Sequence, residues 1–164
     1  MSCSEFTHLH ENSSPKMVDV GCKVRTDRMA LARTIIELPK EVFSELDVGG
    51  GQSSKGSIFD VATIAGIQAS KKTAELIPLC HIIPLDSVKI DLRLEKDRGI
   101  IVECRVKATH KTGVEMEALV GCSVTALTVY DMCKALSHEI VIGETKLIEK
   151  TGGKSNYFLE DTKT

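Results

Sequence analysis

Val88-Lys89-Ile90-Asp91-Leu92-Arg93-Leu94, then Glu95-Lys96-Asp97-Arg98-Gly99, then Ile100-Ile101-Val102-Glu103-Cys104-Arg105-Val106-Lys107-Ala108 is the stretch that decides the fold. Apolar residues alternate with charged ones on both sides of a charged turn that ends in glycine. A period of two places one set of side chains on a buried face and the other in water, so residues 88–108 read as a β-hairpin. Downstream, helical spacing runs from Gly113 to about Leu136, and Thr112 and Glu115 have the separation of a capping box. Glu139 to Glu149 reads as a further strand, and Thr151-Gly152-Gly153-Lys154 as the end of the ordered chain.

Upstream, Ile58 to Leu76 has helical spacing, with Phe59, Ala62, Ala65 and Ala69 on one stripe and Ile58, Val61 and Ile64 beside it; Pro78 stops it. Val48-Gly49-Gly50-Gly51-Gln52-Ser53-Ser54-Lys55-Gly56 reads as a mobile loop. Pro39 suits a first helical position before Val42, Phe43 and Leu46, and Met17 to Leu38 suggests a strand. Strand, helix, hairpin, helix, strand with antiparallel pairing predicts an α+β domain: one antiparallel sheet with helices packed on one face.

The 164 residues fit one domain, large enough to fold without disulfide or metal. A net charge of −2 argues against nucleic acid or a membrane surface as partner, but leaves room for a phosphorylated small molecule held by a few local cations. No apolar run approaches the roughly 20 residues of a membrane span, and the first 16 residues lack a signal-peptide core, so a cytoplasmic protein is expected. Six cysteines without a C-x-x-C pair read as reduced, mostly buried thiols. No metal site and no cofactor are expected.

The helix from Gly113 is apolar nearly all round, which a two-layer monomer cannot bury, so part of it should face another subunit. Against that background stand Glu117, Asp131 and Lys134. Asp131 and Lys134, three residues apart, make either an ordinary helix ion pair or an acid–base pair in which a partly buried carboxylate stays ionised beside an ammonium. Glu117 and Asp131 lie about 21 Å apart along the axis. They serve separate sites unless a second subunit brings them together. Glu115 is either a capping carboxylate or a ligand contact. His81, in the loop Leu79-Cys80-His81, is either structural or a proton-transfer and phosphate-binding group. Lys55 fails as a Walker lysine, because Ser54 replaces the second glycine and Gly56 the Ser/Thr; it remains able to reach a polyphosphate. Lys150 has no distinguishing context of its own.

Three blocks carry a resemblance: Lys55-Gly56 with Ile64-Ala65-Gly66-Ile67-Gln68-Ala69; Leu76-Ile77-Pro78-Leu79-Cys80-His81; and Thr112-Gly113-Val114-Glu115-Met116-Glu117-Ala118-Leu119 continuing to Tyr130-Asp131-Met132-Cys133-Lys134-Ala135. With Met17-Val18-Asp19-Val20 and Gly152-Gly153-Lys154-Ser155 they resemble the MoaC family, the cyclic pyranopterin monophosphate synthases of molybdenum cofactor biosynthesis. The likeness spans about residues 17–158, implying a single catalytic domain there; the polar, Ser-rich residues 1–16 read as a flexible arm, and 159–164 as a tail. It implies a ferredoxin-like fold and a homohexamer built as a trimer of dimers, with active sites at dimer interfaces. The implied reaction is that of a phosphorus–oxygen lyase. It rearranges a GTP-derived cyclic dihydronucleotide triphosphate, supplied by a radical GTP cyclase, to the cyclic pyranopterin monophosphate and releases pyrophosphate. By position, Asp131 and Lys134 match the family's acid–base pair and Lys55 its mobile catalytic lysine. Leu79, Cys80, His81, Glu115, Met116, Glu117 and Lys150 match substrate-binding positions. The family usually has proline after the histidine; Ile82 stands there in this chain. The rival readings are a non-catalytic oligomeric nucleotide-binding protein and, more weakly, a P-loop NTPase.

Overall fold

A computed structural model describes residues 15–53, 56–96 and 98–159. Most of the expected N-terminal arm and C-terminal tail, and Lys55 itself, lie outside the described residues. In chain order the elements are β1 (Thr26–Glu37), α1 (Lys40–Gly49), β2 (Gln52–Ser53), β3 (Gly56–Ser57), α2 (Ile58–Lys71) and α3 (Thr73–Leu76). They continue with β4 (Ser87–Glu95), β5 (Gly99–His110), α4 (Glu115–Cys133), β6 (Val141–Thr151) and β7 (Tyr157–Phe158). The sheet runs β4-β5-β1-β6-β7 with every pairing antiparallel, and β2 and β3 form a separate short ribbon. Without the short strands this is the β-α-β-β-α-β order of a ferredoxin-like domain.

Central β1 pairs with β5 from Thr26↔His110 to Ile36↔Ile100, so one face lines up Ala30, Ala32, Thr34 and Ile36 with Val106, Cys104, Val102 and Ile100. All eight are fully buried. Small residues on β1 leave room above the sheet centre, and α4 fills it with Ala118, Cys122, Ala126, Val129 and Cys133, three or four residues apart. Beside α4, α2 covers β4. The two helices meet at glycines: a Cβ on Gly66 would overlap Thr125 Oγ1, and one on Gly121 would lie 2.5 Å from Ser70 Oγ. The hairpin turn also depends on glycine, since Gly99 has φ +89° and its Cβ would overlap the Ile36 carbonyl.

Several expectations need correction. The first strand begins at Thr26 rather than near Met17, and α1 continues through Gly49 before Gly50 caps it in the left-handed conformation. On α2 the buried positions are Ile58, Ala62, Gly66, Ala69 and Ser70, whereas Val61 and Ile64 face outward. The capping box does not form, because Val114 is the N-cap and no side chain caps the helix; Glu115 turns instead to Lys150. Lys134 is already the C-cap, so α4 stops short of Leu136. Past the glycines of 152–153, β7 adds an edge strand to β6. The described cysteines are free thiols, with Cys104, Cys122 and Cys133 buried as expected.

Candidate active site

The N-terminal end of α4 gathers polar groups from four parts of the chain. Lys150, near the end of β6, places Nζ 3.2 Å from Glu115 Oε1. Two positions on, Glu117 is only 4% exposed. Burial, with Glu115 adding repulsion, pushes its carboxyl up to about 7, and a hydrogen bond from its own backbone N–H offsets part of that. The loop after α3 brings Cys80 close enough that Glu117, after burial, helps to raise the thiol. Cys80 is therefore a neutral thiol rather than an activated nucleophile. His81 Nε2 lies 2.7 Å from the Val18 carbonyl. A carbonyl can only accept, so Nε2 carries the hydrogen and Nδ1 of the neutral ring is left to accept or take up a proton.

His81 also faces His110 at the end of β5, whose imidazole is lowered first by burial and then by Arg25, His81, Lys111 and Arg28. Arg28 ties β1 to this corner, donating from Nε to the His110 carbonyl (3.2 Å) and from Nη2 to the Lys111 carbonyl (3.3 Å). Alongside runs a groove of about 490 Å³ whose charged lining, among the described residues, is Lys23, Arg28, Lys111, Lys150 and Lys154 against the single carboxylate of Glu115. In a chain of net charge −2, this is a concentrated positive field suited to a polyphosphate. Gly152 closes the groove with φ +81°, and its Cβ would overlap the Asp27 carbonyl.

Asp131 and Lys134 are at the other end of α4. Lys134 Nζ lies 2.7 Å from Asp131 Oδ1, but the side chains are 50% and 57% exposed, so the expected partial burial does not hold within one chain. The hydrogen bond and charge of Asp131 raise Lys134, which stays an ammonium at neutral pH: a proton donor, not a base. At 100° per residue, Met116, Val120, Val124, Leu127 and Asp131 fall within an arc of about 80°. That stripe points away from the sheet; Met116 and Leu127 are exposed on it, and Ile64 of α2 is 61% exposed. By length and composition α4 could cross a membrane, but it is seated on β1, β5 and β6 and flanked by α2, as a core helix is.

The chain matches the family model described as MoaC family over residues 17–153. The chain belongs to the MoaC family. It is 47% identical over 151 residues to the cyclic pyranopterin monophosphate synthase of Xanthomonas oryzae pv. oryzae, covering 92% of each chain. It is 44% identical over 157 residues to the protein of that name in Desulfitobacterium hafniense, covering 96% of this chain and 95% of that one. It is 50% identical over 155 residues to a molybdenum cofactor biosynthesis bifunctional protein of Synechocystis sp., covering 92% of this chain but 45% of that longer protein.

Of the residues singled out by the MoaC likeness, Cys80, His81, Glu115, Glu117 and Lys150 converge at one end of α4. Leu79 is half-buried in the same loop, and Met116 is exposed on the outward stripe. Asp131 and Lys134 are not among them, and Lys55 is outside the described residues. Sequence reasoning missed Lys23, Arg28 and Lys111 and gave no role to Lys154. Arg28 and Lys111 are ordinary strand-end cations until β1 and β5 pair; only the Gly152-Gly153-Lys154 run carried any local signal.

Proposed function

We propose that this chain is a cyclic pyranopterin monophosphate synthase acting on a GTP-derived cyclic dihydronucleotide triphosphate. In that reaction the nucleotide skeleton rearranges, a second ester bond to the α-phosphorus closes a cyclic phosphate, the bond from that phosphorus to the bridging oxygen breaks, and pyrophosphate leaves. The observation that carries the reading is one corner holding both a groove of five cations and a buried, near-neutral carboxyl. The cations neutralise charge on the departing pyrophosphate. Glu117, its carboxyl pushed up to about 7, can hold or release a proton near neutral pH, and His81 offers Nδ1 as a hydrogen-bonding partner, without a redox group. Lys55, in the segment preceding α2, is assigned to reach the phosphates, on the resemblance alone.

The same reading makes the site bipartite. Met116 and Asp131 share the outward stripe of α4, and antiparallel pairing of two such helices about Ser123–Val124 would set the partner's Asp131 opposite this chain's Met116 and the partner's Lys134 opposite Gly113, about one turn before Glu117. An apolar stripe between them supplies the contact. The assembly is a homohexamer of three such dimers, cytoplasmic, fed by a radical GTP cyclase, and engages neither nucleic acid nor membrane. The Synechocystis relative, named bifunctional, supports a close link to a neighbouring step. The test is incubation with the cyclised intermediate, followed by chromatography of the oxidised fluorescent pterin and a pyrophosphate assay. Equimolar pterin and pyrophosphate are expected. Tight binding without product would instead establish the non-catalytic nucleotide-binding reading, and pyrophosphate from GTP alone an NTPase.

A further inference from the structure

A second hollow, of about 630 Å³, lies at the far end of β1. Its lining reaches Ile35 and Glu37 on β1, whereas the cationic groove begins at Thr26 and Arg28. Nine residue steps along the strand separate Arg28 from Glu37, roughly 30 Å, so the two hollows cannot share one small ligand. The floor is apolar, from Ile35, Leu38 and Phe43, and three cations stand around it: Lys40, Lys96 and Arg98. Glu37 is its one carboxylate among the described residues and Ser44 adds a hydroxyl.

The pairing of these cations sets the hollow apart. On the nearby strands Arg33 and Arg93 are held by Glu103, Lys89 by Asp91 and Lys146 by Glu144. The side chains of Lys40, Lys96 and Arg98 make no ion pair or hydrogen bond among the described residues. Their position is not accidental to a loose loop: Lys96 and Arg98 flank the turn of the β4–β5 hairpin, fixed where Gly99 packs against the Ile36 carbonyl. Lys40 is the first residue of α1, and Phe43 lies on the same helix one turn later. Among the described residues, three cations without an ion-pair partner and one carboxylate, Glu37, stand around an apolar floor, which matches a ligand with a flat apolar body and an anionic end. The volume falls within the range of small-molecule sites.

We propose that this hollow is a second binding site, separate from the catalytic groove, for a small aromatic molecule bearing a phosphate. The ring stacks on the floor beside Phe43 and the phosphate is held between Lys96, Arg98 and Lys40. This proposal needs no assumption about the reaction.

The test uses phenyl phosphate as probe, with inorganic phosphate and phenol as its two halves, on the full-length protein by NMR titration and calorimetry. Phenyl phosphate is expected to shift the resonances of Phe43, Ser44 and Gly99 and to bind tighter than either half. Charge reversal at Lys96→Glu with Arg98→Glu should weaken it between roughly tenfold and a hundredfold, as expected for charge-assisted bonds. The same variant should leave pyrophosphate binding unchanged, which also reports that it has folded. Equal affinity for phosphate and phenyl phosphate would overturn the proposal, leaving only diffuse charge attraction. So would shifts confined to the groove at Lys111 and Lys150. A change in assembly mass in the double variant would equally overturn it, because the hollow would then be a contact between subunits.

Discussion

Glu117→Gln isolates a buried carboxyl that should make this protein less stable as the pH rises. In the unfolded chain the carboxyl ionises near its ordinary value of 4.5, and in the folded chain it is pushed up to about 7, because burial disfavours the anion. Between those values the folded state holds the proton and the unfolded state does not. Stability is therefore fully present below about pH 4.5 and falls through the window to about 7, then levels off. The gap of about 2.5 units corresponds to about 3 kcal/mol, at 1.36 kcal/mol per unit. Glutamine has the shape of the protonated acid and cannot ionise, so the variant escapes this loss. The expected result, from urea melts at fixed protein concentration, is a stability difference between variant and wild type that is small at pH 5. By pH 8 it should have moved in favour of the variant by about 2–3 kcal/mol. In thermal melts at pH 8 that is on the order of 5–10 °C for a chain of this length. A difference that stays constant from pH 5 to 8 would refute the reasoning. A shift favouring wild type at high pH would show that a cation, such as the partner's Lys134 across the dimer, holds Glu117 as an anion.

Asp131→Asn should lower kcat by about 10²–10⁴-fold with the assembly intact; turnover within about threefold of wild type would leave Asp131–Lys134 a surface ion pair. If the site is shared, mixing Asp131→Asn with Lys55→Ala subunits should restore part of the activity, and failure despite hybrids seen by mass spectrometry would place both residues in one chain's site. Lys150→Met should weaken pyrophosphate binding roughly tenfold or more, and reduce its salt dependence, since one groove cation is lost; an unchanged Kd in fluorescence competition would remove Lys150 from the phosphate site. Gly66→Ala should destabilise by about 1–3 kcal/mol in denaturant melts, because its methyl meets Thr125 Oγ1 and the Gly121 carbonyl at the α2–α4 crossing; a neutral effect would mean that the helices separate freely.

Much of this protein was legible in local pattern. The alternation over residues 88–108 carries the β4–β5 hairpin, since side-chain period alone decides which residues share a face, and Gly99 marks the turn. The nearly all-round apolar content of residues 114–133 identified the core helix, and Met116 and Leu127 stay exposed on its outward stripe. The likeness to the MoaC family, rather than spacing, singled out Cys80-His81 and Glu115–Glu117. Tertiary structure decided the rest, because it depends on atoms distant in sequence. Thr112 and Glu115 have the spacing of a cap, but Lys150, 35 positions after Glu115, competes for the carboxylate and takes it. Arg28 and Lys111 became groove residues only when antiparallel pairing set Thr26 opposite His110. Glu117 stood out in the sequence against its apolar neighbours, but its burial did not; desolvation is a property of surroundings, and no residue type announces it.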